Sequence, residues 1–178
     1  MSTDANGEWV IDYITGRKVP NAGAEANRQA VERHLVEIKG YAKTEIEVDA
    51  SICFDMGLEQ YASFLDLVVS VAGRRCMVIK CAPGSLASRE REVVAAARLL
   101  ASYQIPLAVA SDGQTAIVWE TISGKERGQG LNAIPSRQQA EHLIDPHRIA
   151  PLNEKRRMQQ QLIFRSYDSM NVHGSAKK

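Results

Sequence analysis

Two nearly apolar runs on either side of a tight turn constrain this chain more than any other feature. Residues 64–71 read FLDLVVSV and residues 76–81 read CMVIKC, and a turn region at Ala72-Gly73-Arg74 separates them. Short apolar runs rich in β-branched residues on both sides of a glycine-containing turn predict a hairpin of two buried strands. We therefore expect both strands at the centre of a sheet.

Each of these strands carries one charged residue among apolar neighbours, Asp66 in the first and Lys80 in the second. A buried charge without a partner is expensive, so the two residues are expected to interact. If the loop comprises the three residues 72–74, antiparallel pairing places Asp66 opposite Lys80, whereas a two-residue loop sends them to opposite faces. An ordinary ion pair at the end of the sheet is the alternative to a functional site.

The flanking segments predict the rest of the fold. Apolar residues recur at helical spacing over residues 23–39, and residues 46–52 alternate as in a half-buried strand. Residues 88–102 predict a second helix, and residues 106–122 predict a second hairpin around an Asp-Gly turn. The order α-β-β-β-α-β-β indicates an α/β (α+β) domain in which helices flank a mixed central sheet, with further helices at the C-terminus.

A length of 178 residues suits one domain with short appendages. We expect an N-terminal arm over residues 1–22, the main domain over 23–150, a C-terminal helix over 151–168 and a disordered tail over 169–178.

Composition predicts a protein of the cytoplasm with no membrane association. The longest apolar runs are far shorter than the roughly 18 residues that span a bilayer, and the first residues lack the pattern of a secretory signal.

Positive charge is concentrated toward the C-terminus. Residues 1–124 carry 12 Lys/Arg against 16 Asp/Glu, whereas residues 125–178 carry 10 against 5. Lys155, Arg156 and Arg157 are therefore candidates for contact with nucleic acid, although a solvated helix face has the same composition.

The order of these segments resembles the PD-(D/E)XK, or restriction endonuclease-like, superfamily, and most closely the N-terminal domain family of type I restriction enzyme R subunits. The segments FLDLVVSVAGRR, CMVIKCAPG and PLAVASDGQTAIVWE carry the resemblance, which covers about residues 23–122. It implies the fold of a metal-dependent nuclease, with DNA and separate restriction or motor subunits as potential partners.

By that resemblance Asp66 corresponds to the metal-binding aspartate of the family, and Mg²⁺ is the cofactor that the resemblance implies. Lys80 corresponds to the lysine that orients water or stabilises charge on the phosphate.

In the family that this chain resembles, the second strand of the hairpin ends in a Glu-x-Lys motif commonly followed by Ala-Pro. This chain can be aligned to that motif in two ways, and neither supplies the glutamate. With Lys80 as the motif lysine, Val78 occupies the carboxylate position. With the Ala82-Pro83-Gly84 step as the anchor, Cys81 replaces the lysine and Ile79 the glutamate.

Four glutamates could supply a relocated carboxylate. Glu90 and Glu92 lie near the start of the second helix, and Glu90 is favoured by its distance from the end of the strand. Glu25 and Glu32 lie seven residues apart, on one face of the first helix. The alternative for Glu90 and Glu92 is that they interact only with the helix dipole. The alternative for Glu25 and Glu32 is that they belong to a solvated helix face.

These features favour a degenerate nuclease, or pseudo-nuclease, that keeps the fold and has a role related to nucleic acid. An active Mg²⁺-dependent DNA endonuclease with a relocated glutamate is the first alternative, so enzymatic activity is an open question. A purely structural or protein-interaction domain is the second alternative.

Overall fold

The computed structural model describes residues 9–145 and 149–175, and side chains as far as residue 170. The N-terminal strands are β1 (Trp9–Ile11) and β2 (Lys18–Pro20), and the central strands are β3 (Ile46–Met56), β4 (Glu59–Val71), β5 (Arg74–Cys81), β6 (Leu107–Ser111), β7 (Ala116–Glu120) and β8 (Glu126–Gln129). The α-helices are α1 (Glu25–Arg33), α2 (Glu90–Leu99), α3 (Arg137–Glu141) and α4 (Glu154–Ser175), and α1 continues into a π-helical turn over His34–Ile38.

The central sheet has six strands in the order β3-β4-β5-β6-β7-β8. Every neighbouring pair is antiparallel except β5 and β6, which run parallel. A parallel pair needs a crossover connection, and α2 lies on the connection between these strands. The predicted mixed α/β fold is confirmed.

Helices cover both faces of the sheet, and each face has its own apolar core. On the face of α1, which we call the α1 face, Val31 and Leu35 pack with Leu67 and Ile79. On the opposite α2 face, the core contains Val68, Val78 and Val93 together with Phe164 of α4.

The side chains of β3 and β4 change the core in which they pack, and the change in β3 occurs at Asp49. Ile46 belongs to the α1-face core and Ala50 to the α2-face core, although residues four apart in a regular strand share a face. Asp49 has a φ of 53°, in the left-handed region, which interrupts the alternation. Asp66 lies between Leu65 and Leu67, the pairing partners of the residues on either side of Asp49, and is therefore at this crossing point.

Of the two loop lengths considered, the turn between β4 and β5 has the shorter, two residues, because Val71 pairs with Arg74. Its residues Ala72 and Gly73 both have positive φ, as a type I′ turn requires. A register shift then follows between Val69 and Ser70.

This β-bulge restores the pairing that the shorter turn would have prevented. Ser70 pairs with Arg75 but Val69 pairs with Met77, so β5 contains one extra residue at this point. Leu67 then pairs with Ile79, and the same register places Asp66 opposite Lys80. The pairing expected from a three-residue loop is therefore present, although the turn itself has two residues.

Three further parts of the chain differ from expectation. The short strands β1, β2 and β8 were not predicted, and α2 begins at Glu90, after a 3₁₀ turn. Residues 169–175 continue α4, where a disordered tail was expected, and residues 176–178 lie outside the described part. No helix in the described ranges has both the length and the apolar character needed to cross a membrane.

Candidate active site

Lys80 lies between two carboxylates on the α2 face. Its Nζ is 3.2 Å from Oε1 of Glu92 and 3.9 Å from Oδ2 of Asp66. The hairpin places Lys80 near the end of β5, and the Glu92 side chain on α2, which is 3% exposed, reaches it from above the sheet. The structure therefore brings together two predicted residues and one of the four candidate glutamates.

At both Lys80 and Asp66, burial and the neighbouring charges shift the pKa in opposite directions. Burial favours neutral Lys80, but Asp66 and Glu92 outweigh it, so the pKa of Lys80 is raised and the ammonium stays charged. Burial raises the pKa of Asp66, while Lys80 and a hydrogen bond from the Cys81 N–H at 2.7 Å act to lower it.

Helix α4 closes the space above this cluster. Phe164 of α4 is 1% exposed and lines the same small cavity as Asp66, Lys80 and Glu92. The volume of this cavity is about 10 Å³, which is about the least that holds one water molecule. A phosphate group does not fit there unless α4 moves.

The same helix adds a further carboxylate, from a residue that sequence reasoning missed. Asp168 is buried and accepts a hydrogen bond from the Tyr61 hydroxyl. Its charge also helps to raise the pKa of Lys80. Nothing in the local sequence of α4 indicated this contact, because it depends on how the helix packs.

Glu90 does not join the cluster. It is exposed, and it lines a separate depression with Arg91 and Arg98. Residues two apart in a helix point in nearly opposite directions. Because Glu92 points toward Lys80, Glu90 points away from it. Distance along the chain was therefore a poor reason to favour Glu90 over Glu92.

Glu25 and Glu32 face a buried arginine on the α1 face. Arg28 lies between them on α1, and its guanidinium is 2.7 Å from Glu25 and 3.7 Å from Glu32. The same guanidinium is 2.9 Å from Asp49 and 3.2 Å from Asp12. Two opposite charges at helical spacing could have indicated the pairs with the glutamates, but no local signal indicated Asp12 or Asp49.

Glu32 is the most deeply buried of these carboxyl groups, with no exposed surface. Burial, followed by the negative charge of Asp12, raises the pKa of Glu32 to about 7, and Arg28 only partly opposes this shift. Glu32 therefore holds a proton over part of the range near neutral pH.

Asp66 connects the two faces. It borders a depression of about 220 Å³ on the α1 face, which Glu25, Arg28, Asp49 and Cys81 also line. Burial raises the pKa of Cys81 well above its usual range, so the residue is a thiol rather than a thiolate.

The two alignments of the motif fall on opposite faces of β5. Lys80 and Val78 face α2, whereas Cys81 and Ile79 face α1 and its glutamates. Val78 and Ile79 are both buried in apolar cores and offer no oxygen to either face.

On the α1 face, a protein cation already lies among the carboxylates. Mg²⁺ needs an octahedral set of oxygens, usually one or two carboxylates with water and phosphate oxygens. Here Glu25 and Asp49 already contact the Arg28 guanidinium. In the described ranges, no group of three or more His, Cys, Asp or Glu side chains could hold a metal ion.

The basic residues proposed for nucleic acid do not form one surface. Lys155 and Arg156 are exposed on the first turn of α4. Arg157 instead donates to the Leu99 carbonyl at 3.3 Å and lines a different depression from Arg156.

The fold and the site together define a mixed α/β domain with an acid–lysine cluster at the end of a central hairpin. The model of the family described as type I restriction enzyme R protein N terminus matches residues 23–135. Because this match covers more than half of the chain, the protein belongs to that family, and the predicted resemblance to type I R subunits is confirmed. No curated protein and no solved structure matches the chain.

Proposed function

We propose that this protein is a restriction endonuclease-like domain that does not cleave DNA, a degenerate relative of the PD-(D/E)XK nucleases. The observation that carries the proposal is the position of Arg28. Its guanidinium contacts Glu25 and Asp49 at 2.7 and 2.9 Å, and all three line one depression with Asp66. A protein cation thus lies among the carboxylates that would otherwise attract a metal ion.

The loss of the motif glutamate supports the same conclusion. Cleavage of a phosphodiester in this superfamily needs a metal ion that polarises the phosphate and activates water. Val78 and Ile79, the two residues that could stand for the glutamate, are apolar and buried. Neither alignment of the motif supplies a second oxygen ligand from β5.

The environment of Lys80 gives independent support. A lysine that stabilises charge on a phosphate must reach the substrate, but Lys80 is held by Glu92 at 3.2 Å beneath Phe164. Its ammonium has the role of a structural counterion for buried carboxylates.

The family is that of a restriction enzyme subunit, so DNA or other subunits of such an enzyme are the partners that it suggests. A domain that retains this fold without cleavage would contribute binding or assembly, and protein interaction alone is compatible with the same geometry.

An active Mg²⁺-dependent endonuclease is the second candidate, and one observation favours it. Glu92 lies 3.2 Å from Lys80, which is itself 3.9 Å from Asp66. Glu92 could therefore act as the relocated glutamate if α4 moved away from the cluster.

A plasmid-nicking assay with Mg²⁺ or Mn²⁺ separates the two candidates. We expect the wild-type protein to nick no more DNA than Asp66→Ala or Glu92→Gln, and to give no heat of metal binding in calorimetry. Robust nicking by the wild type that both substitutions abolish would reject the proposal and identify Glu92 as the relocated carboxylate.

The role of Arg28 can be tested on its own. Arg28→Met leaves the surrounding carboxylates without their cation, so we expect this variant to be stabilised by millimolar Mg²⁺ or Ca²⁺ in thermal unfolding, unlike the wild type. Arg33→Met, which removes an exposed arginine from the same helix, is the matched control and should gain no such response. Equal responses of the two variants would contradict this account of Arg28.

A further inference from the structure

A polar depression between α2 and α4 shares no lining residue with the cavity at Asp66 and Lys80. It is formed by the end of α2, the start of α4 and the turn between β7 and β8, and its volume is about 300 Å³. Its polar lining residues are Arg98, Gln104, Ser123, Arg156, Gln159 and Gln160. No carboxylate lines it within the described ranges.

Arg98 is fixed in this depression by neutral acceptors. Its Nε donates to the Thr121 carbonyl at 2.9 Å, and one terminal nitrogen donates to the Gln160 carboxamide at 3.2 Å. These contacts orient the guanidinium without neutralising it. Burial, and then the neighbouring Arg156, lower the pKa of Arg98, which is the effect expected of a positive charge with no anionic partner among the described residues.

Arg156 provides a second cation beside the first. Its side chain is exposed on the first turn of α4, and its backbone N–H is capped by Asn153 at 2.9 Å. Since both Arg98 and Arg156 line the depression, two positive charges face the same small volume. Like charges at one site repel each other unless an anion lies between them.

We infer that this depression, the Arg98–Arg156 pocket, is a binding site for a phosphate group. Arginine presents several N–H donors in a planar fork that matches phosphate oxygens, and the amide side chains of Gln104 and Gln159 line the same pocket. The volume is at the lower end of the range of ligand sites, about 300–1,000 Å³, and so suits a phosphate group with part of the molecule that carries it.

A neighbouring depression extends the pocket along α2. Its volume is about 210 Å³; Arg91 lines it, and it shares Arg98 and Gln160 with the first pocket, although Glu90 lies there too. Arg91 and Arg98 are seven residues apart, a rise of about 10 Å along the helix. A ligand with more than one phosphate, such as a nucleic-acid backbone, could therefore use both depressions.

The pocket combines residues inside the family match with an element that follows it. Arg98 and Ser123 lie within residues 23–135, whereas Arg156 and Gln159 belong to α4, which follows the matched segment. The inference does not depend on the proposed loss of cleavage, since it concerns different residues.

The test compares two charge reversals of equal size in the 178-residue chain. Arg156→Glu changes an exposed residue of the pocket, and Arg17→Glu changes an exposed residue of the N-terminal hairpin. Inorganic phosphate, thymidine monophosphate and a fluorescein-labelled DNA duplex serve as probes. Calorimetry and fluorescence anisotropy measure binding, and ¹H–¹⁵N spectra report on the Arg98 Nε–H and the glutamine amides.

We expect phosphate-containing probes to shift the Arg98 Nε–H signal and Arg156→Glu to weaken binding at least about tenfold, with a far smaller effect of Arg17→Glu. Binding of the monophosphate and the duplex would mean that a free phosphate ester suffices, whereas binding of the duplex alone would identify a nucleic-acid backbone as the source. Equal losses in both variants, or unchanged signals with every probe, would overturn the inference.

Discussion

At the scale of single residues, the site depends on buried charges that each have several partners. Lys80 contacts Glu92 and Asp66, and Arg28 contacts four carboxylates. Removing one partner from a buried ion pair leaves an uncompensated charge, which costs more than the pair contributes when it is intact. The two cations are therefore expected to matter for stability whatever their role in function.

Lys80→Met should lower the free energy of unfolding by about 3 kcal/mol, because it leaves the buried carboxylate of Glu92 without its nearest cation. The double substitution Lys80→Met with Glu92→Leu should recover much of this loss. Urea denaturation measures both, and Arg33→Met, in an exposed pair with Glu37, should change stability by less than about 1 kcal/mol. A double variant no more stable than the single one would show that Glu92 is not the source of the cost.

Glu32 predicts a specific pH dependence of stability. Its pKa rises from 4.5 to about 7 on folding, so the folded chain binds this proton more tightly than the unfolded chain. The associated stability is complete below pH 4.5 and is lost as the pH rises toward 7. The neutral variant Glu32→Gln avoids this loss.

We therefore expect the stability of Glu32→Gln, relative to the wild type, to increase between pH 4.5 and about 7 and to level off above that range. The whole change should be on the order of 3 kcal/mol, at about 1.4 kcal/mol for each unit of pKa. Denaturation from pH 4.5 to 8 measures it, with the exposed Glu37→Gln as control. A difference that is constant across this range would contradict the shift at Glu32.

At the scale of elements, α4 is part of the folded core rather than an appendage. Phe164 packs against Phe54 and Tyr61, with ring centroids 6.1 and 6.3 Å apart, and both rings approach it edge-on. These contacts place an aromatic ring from the C-terminal helix over the candidate site. The family match ends at residue 135, so this cover is supplied by a segment outside it.

Phe164→Ala should lower the free energy of unfolding by about 3–4 kcal/mol, because it leaves a cavity beside the sheet. It should also speed hydrogen exchange near Lys80, which the ring covers. Leu162→Ala is a suitable control, since Leu162 is on the same helix but 58% exposed. Similar effects of the two substitutions would mean that α4 does not seal the site.

At the scale of the whole molecule, the charges separate into regions with different surroundings. Carboxylates gather around Arg28 on the α1 face, whereas Arg98 and Arg156 share a pocket between α2 and α4 whose described lining residues include no carboxylate. A net charge of +1 conceals this separation. An anionic partner would therefore be directed to the α2–α4 side, away from Asp66.

The sequence by itself determined the mixed α/β fold, the central hairpin and the family, because apolar periodicity and turn residues are local signals that adjacent positions carry. It also predicted that Asp66 and Lys80 would meet. The tertiary structure decided how they meet, because a bulge at Cys76 corrects the strand register that a two-residue turn alone would give. It also decided that Glu92 rather than Glu90 reaches Lys80, and that Arg28, Phe164 and Asp168 complete the surroundings. These contacts join residues far apart in the chain, so they depend on how helices pack on a twisted sheet, which no local pattern records.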